Sequence, residues 1–111
     1  MKESDLKLAV SDYLEYKTNL GELYADRLNS GEVIVVAGKG RRRVKLCREG
    51  TADFLILTKF QLVPRIIFLE LKGDKGRQSP EQRAFQKLVE NQLAEYYVVR
   101  SIEELEAVLG L

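Results

Sequence analysis

The chain has 111 residues, with 18 Lys and Arg against 17 Asp and Glu, a net charge of +1, one cysteine and no histidine. At that length a single domain spanning residues 1–111 is expected, and the 45% apolar content suffices for one core. A structural zinc site, Ser-His-Asp or Cys-His catalysis and histidine-dependent nuclease mechanisms are all excluded, so any catalysis must rest on carboxylates and lysines, with or without a metal ion.

Leu6, Ala9, Val10, Tyr13 and Leu14 recur at helical spacing, and Ser4 is placed to cap the segment, which predicts a helix over residues 4–18. Asn29-Ser30-Gly31 reads as a turn into a β-branched strand, Glu32 to Ala37. After a turn at Gly38-Lys39-Gly40, Arg42 to Cys47 forms its hairpin partner, and Asp53 to Leu57 a third strand. Pro64 opens Ile66 to Lys72, which is apolar on both faces until its end, as a central strand would be. Ser79-Pro80-Glu81-Gln82 combines a capping serine, a first-turn proline and a glutamine three residues after the cap, a strong helix start. Phe85, Leu88, Val89 and Leu93 supply the apolar stripe of that helix. Tyr96 to Val99 makes a last strand with one tyrosine inward and one outward, and Ser101 with Glu104 caps a final helix. The order αβββ-β-α-β-α predicts an α/β sandwich around a mixed sheet.

The charge is unevenly spread. Residues 1–38 carry 4 basic and 7 acidic side chains, residues 39–87 carry 13 and 5, and residues 88–111 carry 1 and 5. The middle third is as basic as a nucleic-acid-binding domain. Lys39, Arg41, Arg42, Arg43, Lys45 and Arg48 follow one another with no acidic residue between them, and on a hairpin they would meet a phosphate backbone. The alternative is a solvated strand edge that discourages aggregation. Lys75 and Arg77 extend the same surface. Gly38-Lys39 lacks the first glycine and the Ser or Thr of a phosphate-binding loop, so no nucleotide cofactor is expected. No stretch approaches the roughly 20 apolar residues that span a bilayer. The mixed-charge start and a lone cysteine, Cys47, expected to pack as a small apolar residue, favour a cytoplasmic location without membrane contact.

Phe68-Leu69-Glu70-Leu71-Lys72 is the most informative stretch. In a strand Glu70 and Lys72 project on one side, about 7 Å apart. Asp53, at the head of a neighbouring strand, would complete two carboxylates and a lysine, a set suited to Mg²⁺. The plainer reading is a turn aspartate and a strand-end ion pair.

Gly50-Thr51-Ala52-Asp53, Glu70-Leu71-Lys72 and Gly76-Arg77-Gln78-Ser79-Pro80-Glu81-Gln82, in that order, resemble the VRR-NUC family of the PD-(D/E)XK nuclease superfamily. The likeness extends to Arg27-Leu28-Asn29-Ser30-Gly31 and Val98-Val99-Arg100-Ser101, and so covers nearly the whole chain. It implies a restriction-endonuclease-like domain with a mixed central sheet flanked by helices. It implies Asp53 and Glu70 as ligands of Mg²⁺ or Mn²⁺, with the backbone carbonyl of Leu71. It gives Lys72 the catalytic lysine's place, and Gln82 that of a glutamine near the active site. A first-helix glutamate, a further metal ligand, falls on Glu3, with Asp5 and Asp12 as competitors; the family often has glutamine where this chain has Lys7. The activity implied is that of a metal-dependent endonuclease for branched DNA, a Holliday-junction-resolvase-like homodimer of the small phage or bacterial type. A noncatalytic DNA-binding module, or a nuclease for flaps or duplex DNA, are the alternatives.

Overall fold

Among residues 1–110, which the computed structural model describes, the elements run α1 (Glu3–Asn19), β1 (Tyr24–Arg27), β2 (Glu32–Ala37), β3 (Gly40–Lys45), β4 (Phe54–Phe60), β5 (Val63–Leu71), α2 (Pro80–Asn91), β6 (Glu95–Val99) and α3 (Ile102–Leu109). Four strands form one mixed sheet in the order β1-β4-β5-β6, with β6 parallel to β5 and the other pairs antiparallel. The expected α/β architecture is present, and β5 is central to it.

Alternation along β5 divides the core. Ile67, Leu69 and Leu71 face Leu6, Val10 and Leu14 of α1 and Leu105 and Leu109 of α3. Phe68 faces the other way, toward Phe85 of α2, Ala52 and Tyr96. Helices therefore cover both faces, as a strand apolar on both sides requires. At the far end of β5, the Arg65 guanidinium donates to both Glu95 oxygens at 2.8 and 2.7 Å and clamps β5 to β6.

The structure departs from the sequence expectation at several places. β4 starts at Phe54 and β5 runs Val63–Leu71, so Asp53 and Lys72 lie just outside the strands expected to hold them, and Pro64 lies inside β5. Tyr24–Arg27 is an additional strand: it has no apolar alternation of its own and forms because β4 offers a free edge to pair with. Ser4 lies inside α1 and does not cap it; the helix starts after an extended Lys2, with Glu3 and Asp5 in the first turn where the helix dipole favours them. The hairpin strand β3 begins at Gly40 and ends at Lys45, because Ala37 pairs with Gly40 across a two-residue turn in which Gly38 has φ 60°. Cys47 is exposed and bridges Ser30 at the base of that hairpin. Leu93 falls beyond the end of α2, at φ 68°, and points into solvent. Neither Tyr96 nor Tyr97 is outward: Tyr96 is buried under α2, and Tyr97 packs against the α1/α3 core with its hydroxyl donating to Glu95 at 2.6 Å.

β2 and β3 pair only with each other and pack against no other helix or strand. This ribbon accounts for a radius of gyration of 15.4 Å, against about 13 Å for a compact chain of this length. Among the described residues no helix is long and apolar enough to cross a membrane.

Candidate active site at the end of β5

Strand register assembles the site. Phe54 pairs with Leu69, and Asp53, just before β4, comes beside Glu70, the next residue along β5. Lys72, two residues on, shares the Glu70 face, and its Nζ lies 3.9 Å from Glu70 Oε2. The three residues singled out by the motif spacing thus meet at one end of the sheet.

Each carboxylate is held by the backbone or by another element. Leu71 N–H donates to Asp53 Oδ2 at 2.7 Å. In extended backbone N–H and C=O of one residue face the same neighbour, so the Leu71 carbonyl lies on the Asp53 flank of β5. Glu70 is 3% exposed, and its Oε2 accepts from Gln82 Nε2 at 3.0 Å. Gln82 Oε1 meanwhile accepts from Ser79 N–H at 2.8 Å, and Gln82 N–H donates to Ser79 Oγ at 3.1 Å. The residue expected either to cap the helix or to touch the site does both. The first turn of α2 is brought close by Gly50, whose φ is 88° and where a β-carbon would overlap the Glu81 carbonyl.

The remaining Glu70 oxygen, Oε1, is buried with no hydrogen-bond partner. Burial first, and then the facing Asp53 carboxylate, push the Glu70 carboxyl up to about 8, with Lys72 and Lys7 pulling the other way. An acid displaced that far by burial beside a second acid is a group that gains from a bound cation.

Glu3 does not join the other two carboxylates directly. Its Oε2 lies 3.2 Å from Lys7 Nζ, one helical turn on, and the same ammonium lies 3.5 Å from Asp53 Oδ1. Lys7, seen in the sequence only as a departure from the family pattern, is therefore a site residue. Its signal was the four-residue spacing from Glu3, which is also that of an ordinary helical ion pair. Burial pulls Lys7 down, but the Asp53 and Glu3 carboxylates outweigh it and hold the ammonium above its ordinary value. Among the described residues no three Cys, Asp or Glu side chains converge on one point. The donors suited to a divalent ion are the free Glu70 Oε1, the Asp53 carboxylate and the Leu71 carbonyl, all oxygen atoms, with water to complete the shell.

The predicted basic residues divide into three places. Lys39, Arg41, Arg42, Arg43 and Lys45 are on the exposed ribbon and its turn, where only Arg43 approaches an acid, Glu32 at 4.0 Å. Arg41, Arg43 and Lys45 alternate onto one face with Ile34 and Val36; Arg42 is on the other with Val33, Val35 and Val44. Arg48 leaves the ribbon and borders a pocket lined by Ile66, Phe68 and Phe85. Lys75 and Arg77 line a concavity with Arg100, whose guanidinium also donates to the Gly73 carbonyl at 2.5 Å. That loop adjoins Glu3 at the start of α1.

The ribbon is rooted at the site. β1 ends at Arg27, opposite Phe54, and Leu28 N–H donates to the Asp53 carbonyl at 2.8 Å; the chain returning from the ribbon leads into Asp53 itself. No protein-family model and no curated protein matches this sequence.

Proposed function

We propose that this chain is a divalent-metal-dependent endonuclease of the PD-(D/E)XK type, related to the VRR-NUC family, that hydrolyses phosphodiester bonds in branched DNA. The observation that carries the reading is the meeting of Asp53, Glu70 and Lys72 at one sheet end, with a buried Glu70 oxygen left without a partner. A plain strand-end ion pair gives no reason to bury Glu70 against Asp53 at this cost.

Asp53, Glu70 and the Leu71 carbonyl would hold Mg²⁺ or Mn²⁺, which supplies activation of a water and charge neutralisation at the phosphate. The chain's own residues do the rest. Leu71 N–H and Gln82 Nε2 fix one oxygen of each carboxylate; the other Glu70 oxygen is left without a partner, and the other Asp53 oxygen faces the Lys7 ammonium at 3.5 Å. The Lys72 ammonium, positioned by Glu70, donates to the attacking water or to a phosphate oxygen, where negative charge builds up. The attacking water loses a proton as its oxygen bonds to phosphorus, and the leaving sugar oxygen gains one as its bond to phosphorus breaks. The ribbon, rooted beside Asp53, brings Arg41, Arg43 and Lys45 to the backbone of the same nucleic acid.

A homodimer accords with an uncovered apolar row. Tyr24, Leu57 and Ile66 are cross-strand neighbours on β1, β4 and β5, and they are 48%, 42% and 49% exposed. Two copies would offer two sites to two strands of a four-way junction.

The test is incubation with labelled four-way junction, flap, single-stranded and duplex DNA, with Mg²⁺, Mn²⁺ or chelator. Metal-dependent paired nicks in the junction are expected. Cleavage of flap or duplex alone would move the substrate; binding without cleavage of any substrate would overturn the enzyme reading.

A further inference from the structure

Lys7 lies where a carboxylate-rich site has least use for an ordinary surface lysine. Its ammonium stands between Glu3 Oε2 at 3.2 Å and Asp53 Oδ1 at 3.5 Å, and its side chain is mostly buried. Lys72 holds the matching position on the other flank, 3.9 Å from Glu70 Oε2. Three carboxylates are thus flanked by two ammoniums, which leaves the cluster with one excess negative charge when all are ionised. A single divalent ion between Asp53 and Glu70 reverses that sign. A second would have to enter a site that is already positive, with its route to Glu3 occupied by an ammonium.

We infer that Lys7 is a built-in cation that stands in for a second metal ion, limiting each chain to one divalent ion and reserving Glu3 as the partner of Lys7 rather than as a metal ligand. The inference rests on the reading of Asp53 and Glu70 as metal ligands. Lys7 is a positioning residue: it touches Asp53, not the reacting phosphate, and keeps Asp53 Oδ1 in place when no metal is bound.

Removing the charge opens the second place. In Lys7→Gln, Glu3 and Asp53 face each other with no cation between them, and a second divalent ion can enter to replace it. Lys7→Arg keeps the charge. The double variant Lys7→Gln/Glu3→Gln removes the ammonium together with the carboxylate that would hold the second ion.

The experiment is titration of the metal-stripped full chain with Mn²⁺, followed by electron paramagnetic resonance of the free ion, with circular dichroism to establish that each variant is folded. One Mn²⁺ per chain is expected for the natural protein and for Lys7→Arg, two for Lys7→Gln, and one again for the double variant. Two ions in the natural protein, or one in folded Lys7→Gln, would overturn the role given to Lys7 while leaving the metal site standing. No Mn²⁺ bound by the natural protein would overturn both. If Lys7→Gln does not fold, Glu3→Gln alone decides: unchanged single-ion binding supports the inference, and loss of that ion overturns it by making Glu3 a ligand.

Discussion

The end of β5 and the β2–β3 ribbon are both rich in charge, and they use it in opposite ways. At the end of β5, charges are buried and each is fixed by a neighbour from another element: Glu70 by Gln82 of α2, Asp53 by the Leu71 backbone and by Lys7 of α1. On the ribbon, charges are exposed and touch almost nothing, and the strands hold only each other. Buried charge must be held in place and becomes chemistry; exposed charge is free to follow a flexible polyanion. An isolated two-stranded hairpin is marginal in water, so the ribbon gains its order where Leu46 and Cys47 bond back to Asn29 and Gly31.

The contrast is sharpest for activity. Lys72→Ala should lower junction cleavage by about 10²–10⁴-fold while leaving junction binding largely intact, read by single-turnover kinetics beside a gel-shift titration. An equal loss of binding would place Lys72 with the ribbon residues instead. Replacing Arg41, Arg42 and Arg43 together by alanine should do the reverse. Thermal unfolding should move little, while the slope of log affinity against log salt becomes shallower by about 2, from Arg41 and Arg43, which share one face of the ribbon. A large drop in melting temperature would mean that the ribbon is part of the folded core after all. Gly50→Ala should cost about 2–3 kcal/mol in urea unfolding, because the new methyl group meets the Glu81 carbonyl in a left-handed conformation. It should also slow cleavage, since it displaces the turn that carries Gln82.

The smallest effect is the dependence of metal-free stability on pH. Glu70 holds its proton to about 8 in the folded chain but loses it near its ordinary value of 4.5 when unfolded. Folding therefore binds a proton in this interval, so the stability from this group is full below 4.5 and is lost as pH rises through about 8. With no histidine in the chain to add a step of its own, melting temperature in chelator should fall across this window. Glu70→Gln should flatten the fall, and on the proposed reading Mg²⁺ should oppose it by holding the ionised carboxylate.

The sequence made some of these features visible and hid others for physical reasons. The N-terminus of α2 was legible because a capping box is local: Ser79, Pro80 and Gln82 state it within four residues. The alternation of Phe68 to Lys72 put Glu70 and Lys72 on one face, and they are there. The strand Tyr24–Arg27 was not legible, because its reason to exist is the free edge of β4, which its own four residues do not encode. The facing of Asp53 and Glu70 depends on a register that only the assembled sheet fixes. Lys7 stood out only as a departure from the family pattern, and its contact with Asp53 comes from a residue 46 positions away that nothing local announces.

The shared use of Gln82 has a consequence for how the site fails. Its amide closes the first turn of α2 with one end and holds Glu70 with the other. Fraying of that turn and release of Glu70 are then a single event, and the fraction of molecules ready to act equals the fraction in which one turn of helix is closed. Helix ends open at far lower free energy than whole domains do. Cleavage should therefore decline with rising temperature before the domain melts, and it should return fully on cooling.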